Sequence, residues 1–227
     1  MLDWPDCRNV RDLGGVPTVD GARIRPGALI RADDLANLTA EGRAAVRAAG
    51  VQRVIDLRGR AETERLPSPF AGDDRYRWLP FIDEVADRQR DPVAESTLLA
   101  TYRGSVERNA HNIVAGLRAV ADAPAGGVVV HCSAGKDRTG VLIALALSVA
   151  GVAPDEIAAD YVRTAECLPD TILGTLELVT ERYGDVPGYL TRHGMTPAQI
   201  DALRARLREE KILPGATRSW RRGPGCA

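Results

Sequence analysis

The sequence predicts an α/β fold with a central, mostly parallel sheet flanked by helices. Short apolar runs typical of buried strands alternate along the chain with longer segments whose apolar residues recur at helical spacing. The chain has 227 residues, of which 44% are hydrophobic, so it can bury a core of its own. We expect one domain over residues 1–213, followed by a flexible basic tail over residues 214–227.

The first part of the chain is predicted to supply three strands and one helix. Residues 1–34 carry many Gly and Pro turn signals, which indicate loops and short strands. Thr39 is a good helix N-cap residue, and Gly50 is a typical residue just beyond a helix end. The elements predicted here are a strand at 28–32, a helix at 40–49, and strands at 51–57 and 76–81.

The remainder of the chain predicts one polar loop, one strand and several helices. Residues 82–95 are mostly charged or polar, which indicates a loop. A short apolar strand is predicted at residues 128–131. The predicted helical segments are 96–121, 139–150, 155–166 opened by Pro154, and several within 168–209 that are broken at Gly184, Pro187–Gly188 and Gly194.

Composition excludes several classes of protein. The formal net charge is −1, so no general positive field indicates a nucleic-acid partner. Four cysteines occur without the spacing of a zinc site, and no cofactor or metal is expected. The N-terminus lacks a basic, then apolar, signal segment, and no apolar run is long enough for an integral membrane segment. We therefore expect a cytoplasmic protein with reduced thiols, with signal-less secretion left as an alternative. The oligomeric state is not predicted.

The most informative segment is His131–Gly140, with the sequence His-Cys-Ser-Ala-Gly-Lys-Asp-Arg-Thr-Gly. It joins an apolar strand to an apolar helix, so its backbone N–H groups lie at a helix N-terminus, where an anion such as phosphate binds. The same position favours a thiolate and makes Cys132 a candidate nucleophile. Arg138 can hold phosphate oxygens with two parallel hydrogen bonds. The predicted substrate-binding loop comprises Ser133, Ala134, Gly135, Lys136, Asp137 and Arg138.

This segment resembles the Cys-x5-Arg signature of protein tyrosine phosphatases. With Lys-Asp inside the loop, it is most similar to the bacterial tyrosine phosphatase B-like group, which has dual or triple specificity. Three further segments resemble motifs of that group: residues 8–15, residues 54–58 with Glu62 and Glu64, and residues 183–190. Together these segments cover about residues 8–209. The resemblance implies a cysteine phosphatase-like fold, in which a helical lid over residues 168–195 and simple helix packing are equal alternatives.

The resemblance implies a metal-independent, two-step hydrolysis. The Cys132 thiolate attacks phosphorus to form a cysteinyl-phosphate, which water then hydrolyses, while Arg138 and backbone N–H groups bind the phosphoryl oxygens. Thr139 is expected to stabilise the leaving thiolate. Lys136 can contact an additional phosphate, as on a phosphoinositide, and Asp137 can orient Arg138 or transfer a proton. A solvated ion pair between Lys136 and Asp137 is the simpler alternative.

The general acid is not settled by the sequence. The leaving phenolate needs a proton donor, and Asp83 and Asp137 are the two candidates. The tripeptide Trp4-Pro5-Asp6 spells the usual acid motif, but its N-terminal place indicates coincidence. Asp56 and Arg58 end a predicted strand, so either they reach the loop and bind substrate or they form a structural ion pair.

The leading functional prediction is a protein tyrosine phosphatase acting on phosphotyrosine, and the sequence leaves open whether phosphoserine and phosphothreonine are also substrates. Its partner would be a phosphorylated protein or a phosphoinositide. The alternatives are a phosphoinositide phosphatase, a non-catalytic phosphate-binding module, and a rhodanese-like sulfurtransferase, which also places a cysteine before a helix. A nucleotide-binding P-loop is excluded, because Gly135-Lys136 precedes Asp137 rather than Ser or Thr.

Overall fold

A computed structural model describes residue 2 and residues 4–209, and it contains one five-stranded sheet at its centre. The strands lie in the order β1-β2-β5-β3-β4. Only the edge strand β1 runs antiparallel to its neighbour, so the fold is the α/β arrangement that the alternating pattern predicts. The strands are β1 (Arg11–Asp12), β2 (Leu29–Ala32), β3 (Val51–Asp56), β4 (Tyr76–Trp78) and β5 (Gly127–His131).

Helices cover both faces of the sheet. One face packs against a small apolar cluster that includes Trp4, Val46 and Phe70, and the other packs against the larger core. The helices are α1 (Ala40–Ala48), α2 (Arg60–Arg65), α3 (Glu84–Asp87), α4 (Leu98–Arg108), α5 (Ala110–Ala121), α6 (Asp137–Val149), α7 (Pro154–Tyr161), α8 (Pro169–Tyr183), α9 (Val186–Arg192) and α10 (Pro197–Leu207). Within the described residues, none of these helices is long and apolar enough to cross a membrane.

The register of the sheet brings three strand ends to one edge. His131, at the end of β5, pairs with Ala32 at the end of β2 and with Asp56 at the end of β3. Because these strands are parallel, the chain leaves all three at the same side of the molecule. Cys132 follows His131 directly, so it lies at this carboxyl edge of the sheet.

Most predicted elements are confirmed to within two residues at their ends, but the helix predicted at 155–166 ends at Tyr161 and the strand predicted at 76–81 ends at Trp78. The predicted helix at 96–121 is wrong as one element, since the chain breaks at Asn109 into α4 and α5. The loop predicted at 82–95 contains one helical turn, α3. Pro187–Gly188 was expected to break a helix, but Pro187 occupies the first turn of α9, where a missing N–H costs nothing. The short strand β1 lies within residues 1–34, where short strands are predicted without exact bounds, and α2 is an element that the sequence does not predict.

Helices α8 and α9 are packed into the core. Ile172, Val179 and Leu190 are fully buried, and the Tyr189 hydroxyl donates to the carbonyl of Val106 in α4 at 2.7 Å. These contacts favour helix packing over a lid as the role of residues 168–195. The predicted tail at residues 214–227 lies outside the described residues.

Candidate active site

The loop between β5 and α6, residues 132–138, is held from behind through its carbonyl oxygens. The carbonyl of Ser133 accepts a hydrogen bond from the backbone N–H of Asp34 at 2.9 Å. The Asn9 side-chain amide donates to the carbonyl of Ala134 at 3.0 Å, and the Arg31 guanidinium donates to that of Gly135 at 2.7 Å. Three consecutive carbonyls therefore face the N-terminal part of the chain.

The opposite ends of the same peptide groups point into the loop. In a planar trans peptide the N–H is directed away from the preceding C=O, so the N–H groups of residues 134, 135 and 136 are directed to the concave side. No backbone N–H of residues 134–139 has a hydrogen-bond acceptor among the described residues. Together with the N-terminus of α6, they form a cradle for an anion.

Two glycines make the tight loop sterically feasible. Gly135 adopts a φ of 65°, and a Cβ there would lie 2.4 Å from the carbonyl oxygen of Ala32. At Gly140 in α6, a Cβ would lie 2.8 Å from the ring of Tyr161. Both separations are shorter than van der Waals contact, so only glycine allows the loop and α6 to approach their neighbours this closely.

The side chains of two candidate catalytic residues, Cys132 and Thr139, are buried. The Cys132 side chain is a free thiol, and only 2% of the residue is exposed. Thr139 lies in the first turn of α6 and is fully buried, yet its hydroxyl has no hydrogen-bond partner in the described part of the chain. An unsatisfied buried hydroxyl costs free energy, so Thr139 retains a donor for a group that forms or arrives during the reaction.

Arg138 is held in place by Glu62. Its two terminal nitrogens donate to the two carboxylate oxygens of Glu62 at 2.6 and 2.9 Å, and Glu62 also accepts from the backbone N–H of Gly59 at 2.8 Å. Burial lowers the pKa of Arg138, but the hydrogen bonds to Glu62 outweigh burial and leave it raised. Glu62 thus orients a permanently charged guanidinium beside the loop.

In the sequence, Glu62 stands out only as part of a motif with residues 54–58, and nothing there indicates that it belongs to the site. Its spacing of three residues from Gly59 fits a helix-capping position, which is the more ordinary explanation of such a glutamate. The contact with Arg138 joins residues 76 positions apart, and no local pattern indicates it.

Lys136 and Asp137 are not paired with each other. The Tyr102 hydroxyl donates to Asp137 at 2.5 Å and also contacts the Tyr161 hydroxyl at 2.8 Å. The Lys136 ammonium lies 3.5 Å from the carboxylate of Glu166, whose side chain is 88% exposed. Asp137 is therefore fixed by a buried tyrosine, whereas Lys136 is restrained only by an exposed and adaptable partner.

Asp56 and Arg58 form a buried ion pair beneath the loop. Both side chains are fully buried, and the guanidinium donates to the carboxylate with a shortest distance of 2.6 Å. Tyr76 donates to Asp56 at 2.9 Å, and Arg58 also donates to Asp34 at 2.9 Å. Burial raises the pKa of Asp56, but the hydrogen bonds from Arg58 outweigh it and keep the pKa low. With their polar atoms already occupied, both residues fit the structural role better than substrate contact.

His131 lies beside this pair and is uncharged. Its Nε2 is 3.7 Å from Asp56, and burial lowers the pKa of the imidazole despite the nearby carboxylate. Its Nδ1 lies 3.2 Å from the carbonyl oxygen of Cys132. The imidazole therefore contacts the backbone of the nucleophile and supports the start of the loop.

Asp83 is separated from the loop contacts. Its carboxylate caps α3 by accepting from the backbone N–H groups of Val85 and Ala86 at 2.9 and 3.1 Å. Its own N–H donates to the Asn109 side chain at 2.7 Å. In the described structure it has no hydrogen bond to residues 132–138.

The tripeptide Trp4-Pro5-Asp6 does not behave as an acid motif. Trp4 is buried in the core, which agrees with coincidence as the origin of the tripeptide.

The described residues contain no cluster of three or more His, Cys, Asp or Glu side chains that could hold a metal ion. The chemistry available at the site is that of a thiol, an arginine, a hydroxyl, carboxylates and a ring of backbone N–H groups. This set can bind a phosphoryl group and transfer it to sulfur.

Comparison with known proteins agrees with this geometry. The model of the tyrosine phosphatase family matches residues 2–209. The chain is 29% identical over 218 residues to the triple specificity protein phosphatase PtpB of Mycobacterium tuberculosis, covering 81% of this chain and 76% of that protein. It is 32% identical over 161 residues to a tyrosine-protein phosphatase of Nostoc commune, covering 67% of this chain and 53% of that protein.

Proposed function

This chain belongs to the tyrosine phosphatase family, and from that premise we propose that it hydrolyses phosphotyrosine in proteins through a cysteinyl-phosphate intermediate. The observation that carries the proposal is the loop of residues 132–138. Its N–H groups, which have no acceptor in the described structure, are directed to the concave side of the loop, with Cys132 at its first position and Arg138 at its last.

In the first step, the Cys132 sulfur attacks phosphorus and the phosphorus–oxygen bond to the phenol breaks. The loop N–H groups and the guanidinium of Arg138 stabilise the negative charge on the three non-bridging oxygens. The loop N–H groups and the guanidinium are fixed before substrate arrives, so they do not have to reorient as charge develops on the phosphoryl oxygens. The contact with Glu62 keeps the guanidinium plane in position at the side of the loop.

In the second step, water attacks the cysteinyl-phosphate and the thiolate leaves. The Thr139 hydroxyl, which has no partner in the described structure, is the proposed donor to the departing sulfur. A hydrogen bond at that moment lowers the energy of the thiolate and speeds its departure. Water attack also requires a base to remove a proton, and the group that gave its proton to the phenolate can take one back.

Two aspartates compete for that role of acid and base. Asp137 adjoins Arg138 in the loop, but its carboxylate is already held by a hydrogen bond of 2.5 Å from the buried Tyr102 hydroxyl. Asp83 lies on an exposed segment, and its bonds to Val85 and Ala86 are local ones that it can exchange. We propose Asp83 as the acid and Asp137 as a residue that fixes the loop.

We further propose that the substrate range extends to phosphoserine, phosphothreonine and phosphoinositides. Lys136 supports this extension, since its only ion-pair partner in the described structure, Glu166, is largely exposed and can release it to an additional phosphate. The relative from Mycobacterium tuberculosis is named a triple specificity protein phosphatase. The proposed partner is thus a phosphorylated protein or a phosphoinositide, and no nucleic acid is involved.

We propose the cytosol as the compartment, because a nucleophilic thiol needs reducing surroundings. The described cysteines, Cys7, Cys132 and Cys167, are all free thiols, which suits that environment. Export from the cell is the alternative.

The test is phosphate release from matched phosphotyrosine, phosphoserine and phosphothreonine peptides and from phosphoinositide vesicles, without added metal. Cys132→Ser should abolish release from every substrate. Cys7→Ser is the matched control, because serine can keep the hydrogen bond that the Cys7 thiol donates to Asp33, and it should retain wild-type rates. Binding of phosphopeptide without release by the folded, reduced wild type would indicate a binding module. Transfer of sulfur from thiosulfate to cyanide would indicate a sulfurtransferase.

A further inference from the structure

We propose that Asp160, near the end of α7, is a positioning residue that orients the catalytic loop through two arginines. The proposal rests on the proposed phosphatase function, and it assigns a role to a residue that touches neither Cys132 nor the anion cradle. Its basis is a chain of hydrogen bonds that begins, buried, at the two oxygens of this one carboxylate and ends on the loop carbonyls.

The first connection runs through Arg31 in β2. One guanidinium nitrogen of Arg31 donates to Oδ2 of Asp160 at 2.6 Å, and the other donates to the carbonyl of Gly135 at 2.7 Å. Arg31 is only 1% exposed. A planar guanidinium held at one end by a carboxylate presents its other end in a fixed direction, so Asp160 determines where Arg31 meets the loop.

The second connection runs through Arg11 in β1. Its Nε donates to Oδ1 of Asp160 at 2.7 Å, and another nitrogen donates to the side-chain oxygen of Asn9 at 2.6 Å. Because that oxygen is occupied, the amide nitrogen of Asn9 is turned to the loop, where it donates to the carbonyls of Ala134 at 3.0 Å and Gly135 at 3.2 Å. Thr164 completes this arm by accepting from Arg11 at 3.0 Å.

Charge explains why a carboxylate is needed at this position. Arg11 and Arg31 are both buried, and two buried cations side by side repel each other unless an anion lies between them. Burial raises the pKa of Asp160, but the positive charges of Arg31 and Arg11 outweigh it and keep the pKa low. The carboxylate is therefore ionised whenever the protein is folded near neutral pH.

Tyr161, the residue after Asp160, supports the C-terminal half of the loop. The Tyr161 hydroxyl contacts the Tyr102 hydroxyl at 2.8 Å, which in turn donates to Asp137 at 2.5 Å. The Tyr161 ring also packs against Gly140, where no Cβ would fit. Asp160 thus directs the carbonyls of residues 134 and 135, while Tyr161 secures the start of α6, and both act from the end of one helix.

The consequence is orientation of the anion cradle. Each carbonyl drawn to Asn9 or Arg31 directs the following N–H into the loop. Loss of the Asp160 charge should leave Arg31 and Arg11 without a fixed direction and allow these peptide groups to rotate. A misplacement of about 1 Å in such donors can cost roughly 100-fold in rate.

The experiment compares Asp160→Asn, Asp160→Glu and Asn9→Ala with the wild type. Asp12→Asn is the matched control, because Asp12 is a half-buried carboxylate in the same N-terminal motif that binds the N–H groups of Gly14 and Gly27 instead of the loop. Each variant is assayed for kcat, KM and inhibition by vanadate, at a temperature where thermal unfolding shows it to be folded. Binding of vanadate to each variant is also measured by calorimetry, so that one readout does not depend on turnover.

We expect Asp160→Asn to lower kcat/KM about 100-fold and to weaken vanadate inhibition and vanadate binding in parallel. Asp160→Glu, which keeps the charge, should recover a large part of the loss, and Asp12→Asn should stay within about twofold of the wild type. If Asp160→Asn does not fold, Asn9→Ala tests the same connection from its partly exposed end and should weaken vanadate inhibition while it stays folded.

Wild-type rates and wild-type vanadate inhibition in folded Asp160→Asn, or in Asn9→Ala, would overturn the proposal. Equal losses in Asp12→Asn would also overturn it, since they would show a general effect on the fold. Direct vanadate binding separates failure of the positioning role from failure of the proposed function. A folded wild type that binds vanadate but releases no phosphate, with binding that weakens in Asp160→Asn, would contradict the phosphatase but support the positioning role.

Discussion

The loop of residues 132–138 and the segment of residues 82–95 are the two regions that the proposed chemistry must bring together, and they are held very differently. The loop is bound by side chains from distant parts of the sequence, among them Asn9, Arg31 and Glu62. The segment has mainly local bonds, and its apolar residues Val85 and Val93 are 69% and 81% exposed.

This difference separates the two halves of the proposed mechanism. The groups that bind and attack phosphorus are oriented before substrate arrives, which is the condition for strong electrostatic stabilisation of a transition state. The segment that carries Asp83 has few buried apolar contacts, so it can open locally at a small cost in free energy. Substitutions in the loop should therefore affect every substrate, whereas substitutions at the acid should depend on the leaving group.

Arg138→Lys should give the largest loss among the substitutions that retain Cys132. A lysine ammonium is a point charge and cannot donate two parallel hydrogen bonds to phosphoryl oxygens or to Glu62. We expect kcat to fall by about 10²–10³-fold on every substrate. Steady-state kinetics on aryl phosphates and phosphopeptides measure this loss, and a rate within a few-fold of the wild type would remove Arg138 from the transition state.

Asp83→Asn and Asp137→Asn should distinguish the two acid candidates. If Asp83 is the acid, Asp83→Asn lowers kcat by about 10²-fold or more on substrates with poor leaving groups. Substrates whose phenolate leaves without protonation should lose much less. The measurement is the dependence of kcat on the leaving-group pKa for a series of aryl phosphates.

Asp137→Asn provides the comparison within the same series. Because Asp137 accepts from Tyr102 and lies in the rigid loop, its loss should lower rates by a similar factor across all leaving groups. If only Asp137→Asn showed a dependence on the leaving group, Asp137 in the loop would be the general acid. The segment of residues 82–95 would then have no part in the chemistry.

Glu62→Gln should have a smaller effect. The amide keeps the shape of the side chain but loses the charge and one acceptor, so it holds Arg138 less firmly. We expect kcat/KM to fall about tenfold, well below the cost of removing a transition-state donor. The control is Glu64→Gln, because Glu64 is an exposed neighbour whose only ion-pair partner among the described residues is Arg60, and it should leave the rate unchanged. An equal loss in both variants would contradict a specific role of Glu62.

The ion pair of Asp56 and Arg58 should affect stability more than rate. The pKa of Asp56 is lowered in the folded protein, so its contribution to stability is complete above the unfolded value of about 4. It is lost as pH falls through the folded pKa. Asp56→Asn should cost about 3–5 kcal/mol, because it leaves a buried arginine without its partner. Urea unfolding at pH 7 and pH 3 should show a smaller difference between the two proteins at pH 3; equal differences at both would contradict the account.

Sequence alone predicts the loop well because its determinants are local. The cysteine, the arginine, the glycine with positive φ and the strand and helix on either side all lie within a few residues of one another. The contacts that orient the loop join residues up to 155 positions apart, as between Asn9 and Thr164, and no periodicity or spacing indicates such pairs. Asp160 and Glu62 therefore became visible only in the folded chain.

The same reasoning explains the outcome at Asp56 and Arg58. Their position at a strand end allowed either substrate contact or an ion pair, and only the burial of both side chains favours the second. At residues 96–121 the helical spacing continues through Asn109, so the pattern could not reveal the break there, where the Asn109 side chain binds the carbonyl of Ser105 and the N–H of Asp83.

The most direct test of the account is to trap the intermediate. Rapid acid quenching of the wild type with a radiolabelled phosphotyrosine peptide, followed by peptide mapping, should find the phosphoryl group on Cys132 within the first turnover, and Cys132→Ser should carry none. Label on any other residue, or continued turnover with no labelled protein at any time, would contradict a cysteinyl-phosphate mechanism at this loop.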